Sequence, residues 1–140
     1  MIHQVKTTWK ENMAFDSQID KHTIRMDAAG LLGDDSGPSP KKLLLASLAG
    51  CTGMDVVSLL KKMRVPFTNF EMDIDADLTD EHPKVYSEIR IKYRIFGTQL
   101  NKEKVKKAID LSQDKYCGVS AMLEKNSPIV YTIEYVEEAN

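Results

Sequence analysis

The chain is 140 residues long and 42% hydrophobic, enough for one core, so a single domain over residues 1–140 is expected. Its 19 basic and 21 acidic residues leave a net charge of −2 spread along the whole length. That distribution lacks the basic footprint of a phosphate binder and excludes nucleic acid as an expected partner. The opening MIHQVKTTWK has neither the apolar core nor the small-residue cleavage site of a secretory signal, which makes the cytoplasm the expected compartment.

Residues 4–9, 14–19 and 23–28 are short and bounded by Lys, Glu, Asn and Asp, and they read as an initial strand meander. The stretch GLLGDDSGPSP at 30–40 gathers turn formers and reads as a loop. It ends in Ser39-Pro40, where a serine oxygen can accept the first free helical amides and proline suits the first helical position. The helix that begins there is predicted to run to residue 63, because Arg64-Val65-Pro66 forbids continuation. Residues 43–60 have the length of a membrane span, but Asp55 near the middle and Gly50, Gly53, Ser47, Thr52 and Ser58 argue for a protein core and against a membrane. This helix is apolar nearly all round, so it requires cover on several sides, from sheet or from a second subunit.

The clearest period follows. Phe70, Met72, Ile74, Ala76 and Leu78 alternate with Glu71, Asp73, Asp75 and Asp77, and after a turn at 80–83, Ile89, Ile91, Tyr93 and Ile95 alternate with Arg90, Lys92 and Arg94. A hairpin of these strands sets a basic row beside an acidic one. A helix over 101–115 places Val105, Ala108, Ile109 and Ser112 on one face; Tyr116-Cys117-Gly118 interrupts it, a short helical segment covers 119–123, and a closing strand covers 129–136. Strands segregated from helices in this order predict an α+β fold with a mostly antiparallel sheet.

Cys51 and Cys117 are the only cysteines, and neither belongs to a C-x-x-C frame. With His3, His22 and His82 scattered over strands and loops, a zinc site is not expected. A permanent disulfide is disfavoured in the cytosol. Two readings remain open: inert buried thiols, or a redox pair. Gly50 and Gly53 remove bulk beside Cys51, either to admit a reactant or to allow close helix packing. Cys117 starts a short helical segment, where free amides and the helix dipole favour a thiolate; local physics therefore nominates Cys117 as the attacking sulfur.

Several segments together resemble the family of osmotically induced protein C and organic hydroperoxide resistance protein (OsmC/Ohr), over nearly the full chain. They are Ser39-Pro40 and the apolar run 43–49 leading into Gly50-Cys51, then Asp55-Val56-Val57, and Lys115-Tyr116-Cys117-Gly118-Val119-Ser120 ahead of the final strand. The resemblance implies an intertwined homodimer in which antiparallel sheets wrap two long central helices. It also implies a chemistry: Cys51 attacks the peroxide O–O bond and becomes a sulfenic acid, Cys117 resolves it to a disulfide, and an external thiol or lipoyl-type dithiol reduces that disulfide. No bound cofactor or metal is expected. The order of roles comes from the resemblance and opposes the local dipole argument.

This chain departs from the better-known hydroperoxidases of that family at two positions. Lys41 stands where their activating Glu would follow Ser39-Pro40, and residues 7–14 contain no Arg, Arg25 falling on a later strand. Lys10 and Lys41 become the candidate thiolate supports, although lysine lacks the planar fork of arginine. The first expected function is therefore a peroxidase for organic hydroperoxides, in oxidative stress defence, with Gly50, Met54 and Met122 in its pocket. The alternative is a non-enzymatic dimer that senses redox state or binds a small apolar ligand. Acyl hydrolysis by a cysteine nucleophile needs a base, and no His stands near either cysteine in sequence.

Overall fold

The computed structural model describes residues 1–139, and the chain divides into two compact units, Met1–Ala46 and the remainder from Ser47 onward. The first unit holds strands β1 (Lys6–Glu11), β2 (Ala14–Ile19) and β3 (His22–Met26) as an antiparallel meander in the order β1-β2-β3. Asn12 and Asp20 sit at its two turns with φ of 53°, a left-handed conformation that these two side-chain types tolerate. Arg25 grips Asp16 on the neighbouring strand with two hydrogen bonds of 2.6 and 2.9 Å. In the loop that follows, Asp27 accepts from the amides of Ala28 and Ser36 and from the Ser36 hydroxyl.

Helix α1 (Pro40–Lys62) starts in the first unit and ends in the second. Its end is a Schellman arrangement: the Val65 amide reaches Leu60 O at 2.9 Å and the Arg64 amide reaches Lys61 O at 3.1 Å, with Arg64 at φ 57°. The predicted stop at Arg64-Val65-Pro66 is thus realised as a left-handed cap.

In the second unit, strands β4 (Asn69–Leu78) and β5 (Tyr86–Gly97) form the expected hairpin. Its acidic and basic rows meet: Glu71 pairs with Arg94, Asp73 with Lys92 and Asp75 with Arg90. After helix α2 (Lys102–Leu111), a single π-helical turn (Ser112–Tyr116) and helix α3 (Gly118–Leu123), strand β6 (Ile129–Glu137) completes the sheet in the order β4-β5-β6. The sheets are mostly antiparallel, with β6 the exception, since it runs parallel to β5. The α2–α3 segment acts as the crossover that a parallel pair requires.

Helices α1 and α2 lie on one face of the sheet of this unit. Gly53 of α1 abuts Met72 of β4, Thr52 bonds Tyr93 of β5, and Asp110 of α2 accepts from Tyr131 of β6. That face supplies Ile89, Ile91, Tyr93 and Ile95 to a core completed by Leu48, Val56, Leu60, Val105, Ala108 and Ile109. The opposite face carries the charge rows, where Arg94 bonds Glu71, Asp73 and Glu134 across three strands.

Helix α1 resolves into three lines of residues. Leu48, Thr52, Val56 and Leu60, each four apart, point into the core. Ala49, Gly50, Gly53, Met54, Val57 and Lys61 line an open groove. Cys51 and Asp55, also four apart, occupy the line between them.

Candidate redox site

Cys117 owes its place to the turn before it. The π-helical turn lets the Cys117 amide donate to Ser112 O at 2.8 Å, and the chain then leaves with Cys117 extended (φ −76°, ψ 101°) as the cap of α3. Its Sγ accepts the Ser120 amide at 3.3 Å. On α1, Cys51 and Asp55 are half-buried one helical turn apart, and Cys51 Sγ, Cys117 Sγ and an Asp55 carboxylate oxygen all lie within 4.8 Å of one another. Both thiols are free.

A polar circuit leads from the carboxylate back to the second sulfur. Ser112 Oγ donates to Asp55 Oδ2 at 3.0 Å and shares a 2.8 Å bond with Thr52 Oγ1, which in turn shares one of 2.7 Å with the Tyr93 hydroxyl. Gln113 Nε2 donates to Tyr93 Oη at 2.6 Å and to Thr52 Oγ1 at 3.3 Å, and Gln113 Oε1 accepts from Ser120 Oγ at 2.5 Å. Ser120 closes the circuit through its amide on Cys117. Thr52, Tyr93, Ser112 and Ser120 are fully buried, so each of these polar atoms depends on the others for its hydrogen bonds.

Burial acts on the second sulfur. Burial pushes the Cys117 thiol up from an ordinary 9.0 to about 11; the Ser120 amide opposes the shift, and the neighbouring Cys51 and Asp55 add to it. The nomination of Cys117 as attacking sulfur is therefore corrected: the helix-start amide is present and touches the sulfur, but the loss of water outweighs it. That direction agrees with the order of roles the resemblance implies, in which Cys51 attacks and Cys117 resolves. Burial likewise raises Tyr93, against the hydrogen bonds it shares with Thr52 and accepts from Gln113, which lower it.

The groove beside Cys51 has a volume of about 670 Å³, and Phe70 and Met72 of β4 form its floor. Gly50 and Met54 line it, Met54 being 76% exposed. The two glycines differ in role. A Cβ on Gly53 would lie 2.7 Å from the Met72 methyl, whereas one on Gly50 would meet nothing within 4 Å, so close packing accounts for Gly53 and leaves the surface at Gly50 open. Met122 on α3 is exposed and is not among the groove residues. Lys10 and Lys41 belong to the first unit, where Lys10 acts electrostatically on Asp16; Asp55 is the carboxylate gathered with the sulfurs. A second, smaller cleft of about 160 Å³ is lined by Asp55, Ser58, Leu59, Lys62 and Tyr116.

Two sulfurs and one carboxylate are one donor short of a closed tetrahedral zinc site, and the cluster includes no His. Asp55 had a visible signal, a carboxylate four residues after Cys51 on an apolar helix. Thr52, Ser112, Gln113 and Ser120 had none, because they come from three separate elements.

A family profile described as OsmC-like protein matches residues 33–132. Protein YhfA of Escherichia coli (strain K12) is 33% identical over 134 residues, 95% of this chain and 98% of its own length. A hypothetical protein from Aquifex aeolicus VF5 has a solved structure that superposes with a TM-score of 0.82 at 29% identity, covering 98% of this chain and 99% of that one. The organic hydroperoxide resistance protein OhrB of Bacillus subtilis shares the fold at a TM-score of 0.68 and 15% identity, over 94% of this chain and 98% of its own.

Proposed function

The chain belongs to the OsmC-like protein family, and from that premise we propose that it is a thiol-dependent peroxidase for organic hydroperoxides, active in oxidative stress defence. Cys51, as thiolate, attacks the terminal oxygen of the peroxide; the O–O bond breaks, the alkoxide leaves as alcohol after gaining a proton, and Cys51 becomes a sulfenic acid. The Cys117 thiol then displaces the hydroxyl as water and forms the Cys51–Cys117 disulfide. An external thiol or lipoyl-type dithiol restores both thiols by exchange. The cytoplasm, whose thiol pools supply such reductants, is the proposed compartment.

The observation that carries this reading is the approach of the two sulfurs to within 4.8 Å, beside an apolar groove suited to an organic substituent. The family relative OhrB, named for organic hydroperoxide resistance, supports the substrate class. We assign a homodimer in which a second copy lies along α1 and roofs the groove. An exposed Met54 and an open Gly50 on an apolar helix are what such cover would explain.

The test is a titration of reduced protein with cumene hydroperoxide, counting free thiols. Two thiols should be lost per peroxide, regained with dithiol, and none lost in Cys51→Ser. Undiminished turnover in Cys51→Ser refutes the proposal. A second reading, a non-enzymatic dimer that senses redox state or binds a small apolar ligand, draws on the same groove and on Lys41 in place of the activating Glu. Its mark is a disulfide that forms without dithiol-supported turnover.

A further inference from the structure

In the proposed redox pair, Cys117 must lose a proton as it attacks Cys51, and burial holds that proton firmly. Among the described residues, Asp55 of α1 and Tyr93 of β5 act on the Cys117 sulfur, and Lys62 of α1 and Tyr116 of the π-helical turn line the cleft beside Asp55. The phenols carry protons of their own and the lysine is a cation, so by chemical kind the carboxylate is the acceptor. Its oxygen lies within 4.8 Å of Cys117 Sγ, a span that one water or a small side-chain rotation closes.

Ser112 makes this juxtaposition a built one. Its hydroxyl holds Asp55 Oδ2 at 3.0 Å while its carbonyl holds the Cys117 amide at 2.8 Å, so one buried residue fixes both the carboxylate and the backbone of the thiol. Asp55 also lines the small cleft with Lys62 and Tyr116 and is not among the residues of the apolar groove, so the carboxylate has an opening to solvent of its own beside Ser58, the residue that borders both.

We propose that Asp55 is the proton acceptor of the resolving step, taking the Cys117 proton as that sulfur attacks Cys51. The inference rests on the Cys51–Cys117 redox pairing. With a sulfenic acid on Cys51, the S–S bond forms, the S–O bond breaks, and Asp55 passes the proton to the departing hydroxide, so the product is water and the carboxylate is regenerated. With any other leaving group on Cys51, the proton goes to solvent through the cleft.

A peroxide-free assay separates this step from the peroxidase reading. Reduced protein is mixed with slightly less than one equivalent of dithiobis(nitrobenzoate), and thionitrobenzoate release is followed by stopped flow. Attack by Cys51 gives the first release, and displacement by Cys117 gives the second. In the wild type the second phase should be nearly flat with pH across the neutral range. In Asp55→Asn it should fall by about 100-fold at neutral pH and climb with pH as Cys117 ionises towards about 11. Asp55→Glu, which keeps a carboxylate, should restore the flat profile and covers the case in which the asparagine variant does not fold. A second phase in Asp55→Asn that matches wild type, or that is slowed equally at every pH, overturns the inference alone. A wild type that never gives the second release overturns it together with the redox pairing.

Discussion

Removing the Tyr93 hydroxyl tests whether the buried circuit holds the site together. Tyr93→Phe deletes the 2.7 Å bond to Thr52 and the 2.6 Å bond from Gln113. Thr52 keeps Ser112 as a partner and Gln113 keeps Thr52, so no atom is stranded and the loss is about 1 kcal/mol for each bond, or about 2 kcal/mol. For a chain of 140 residues that corresponds to roughly 7 °C in Tm. Thr52→Val deletes three bonds, to Tyr93, Ser112 and Gln113, and should cost about 3 kcal/mol on the same scale. The double variant loses the shared Thr52–Tyr93 bond only once, and the half-buried Gln113 amide, which loses both acceptors, turns to water, so the cost should be about 4 kcal/mol where the single variants sum to about 5. Urea unfolding of the four proteins, with equal slopes, measures this coupling. A neutral Tyr93→Phe, or strictly additive losses, would refute the circuit as a connected unit.

Three further outcomes follow from the geometry. In the unfolded chain the Cys117 thiol ionises first, so between about pH 9.0 and 11 the folded protein holds the extra proton. Stability should therefore be intact below that window and fall as pH rises through it, and in alkaline urea titrations Cys117→Ala should remove the thiol's share, at most about 1.4 kcal/mol per pH unit, leaving the share of tyrosines such as Tyr93 and Tyr131 that burial also raises. Met54→Glu should leave the circular dichroism spectrum unchanged and shift sedimentation from dimer to monomer; an unaltered dimer would show that no second copy sits on this groove. Arg94→Met, which cuts the ties to Glu71, Asp73 and Glu134, should lower Tm less than Tyr93→Phe does, and the loss should shrink in high salt while that of Tyr93→Phe persists.

The elements governed by local pattern were legible in the sequence. The alternation in β4 and β5, the helix start at Pro40 and the stop at Arg64 all depend on residues close together in the chain, and the closing strand begins at Ile129 as expected. The parallel sense of β6 was not legible, because it depends on where the crossover returns the chain and not on any period within the strand. The π-helical turn at Ser112–Tyr116 left no mark either, having neither Gly nor Pro within it. Ser112 was expected to pack as part of an apolar face; its position is buried as predicted, but its hydroxyl is spent on Asp55 and Thr52. Asp55 was legible as an argument against a membrane span and as a carboxylate one turn after Cys51, but its approach to Cys117 was not, because that depends on where the π-helical turn sets the second sulfur.

The same helix explains why its sequence looks apolar on every side. A helix with a single buried face would need polar residues on the other two, and α1 carries instead one line in the core, one open apolar groove and, between them, the line of Cys51 and Asp55. On the proposed chemistry those three lines have different demands. The core line fixes the helix through Thr52 and so fixes Cys51 beside it. The groove line must stay apolar to admit an organic peroxide and to receive a second copy. The line between must bring a sulfur to a second sulfur and a carboxylate to both, which requires small neighbours and a charge that an ordinary core helix would exclude. Asp55 is tolerated there because Ser112 hydrogen-bonds it and the small cleft leaves it partly in water.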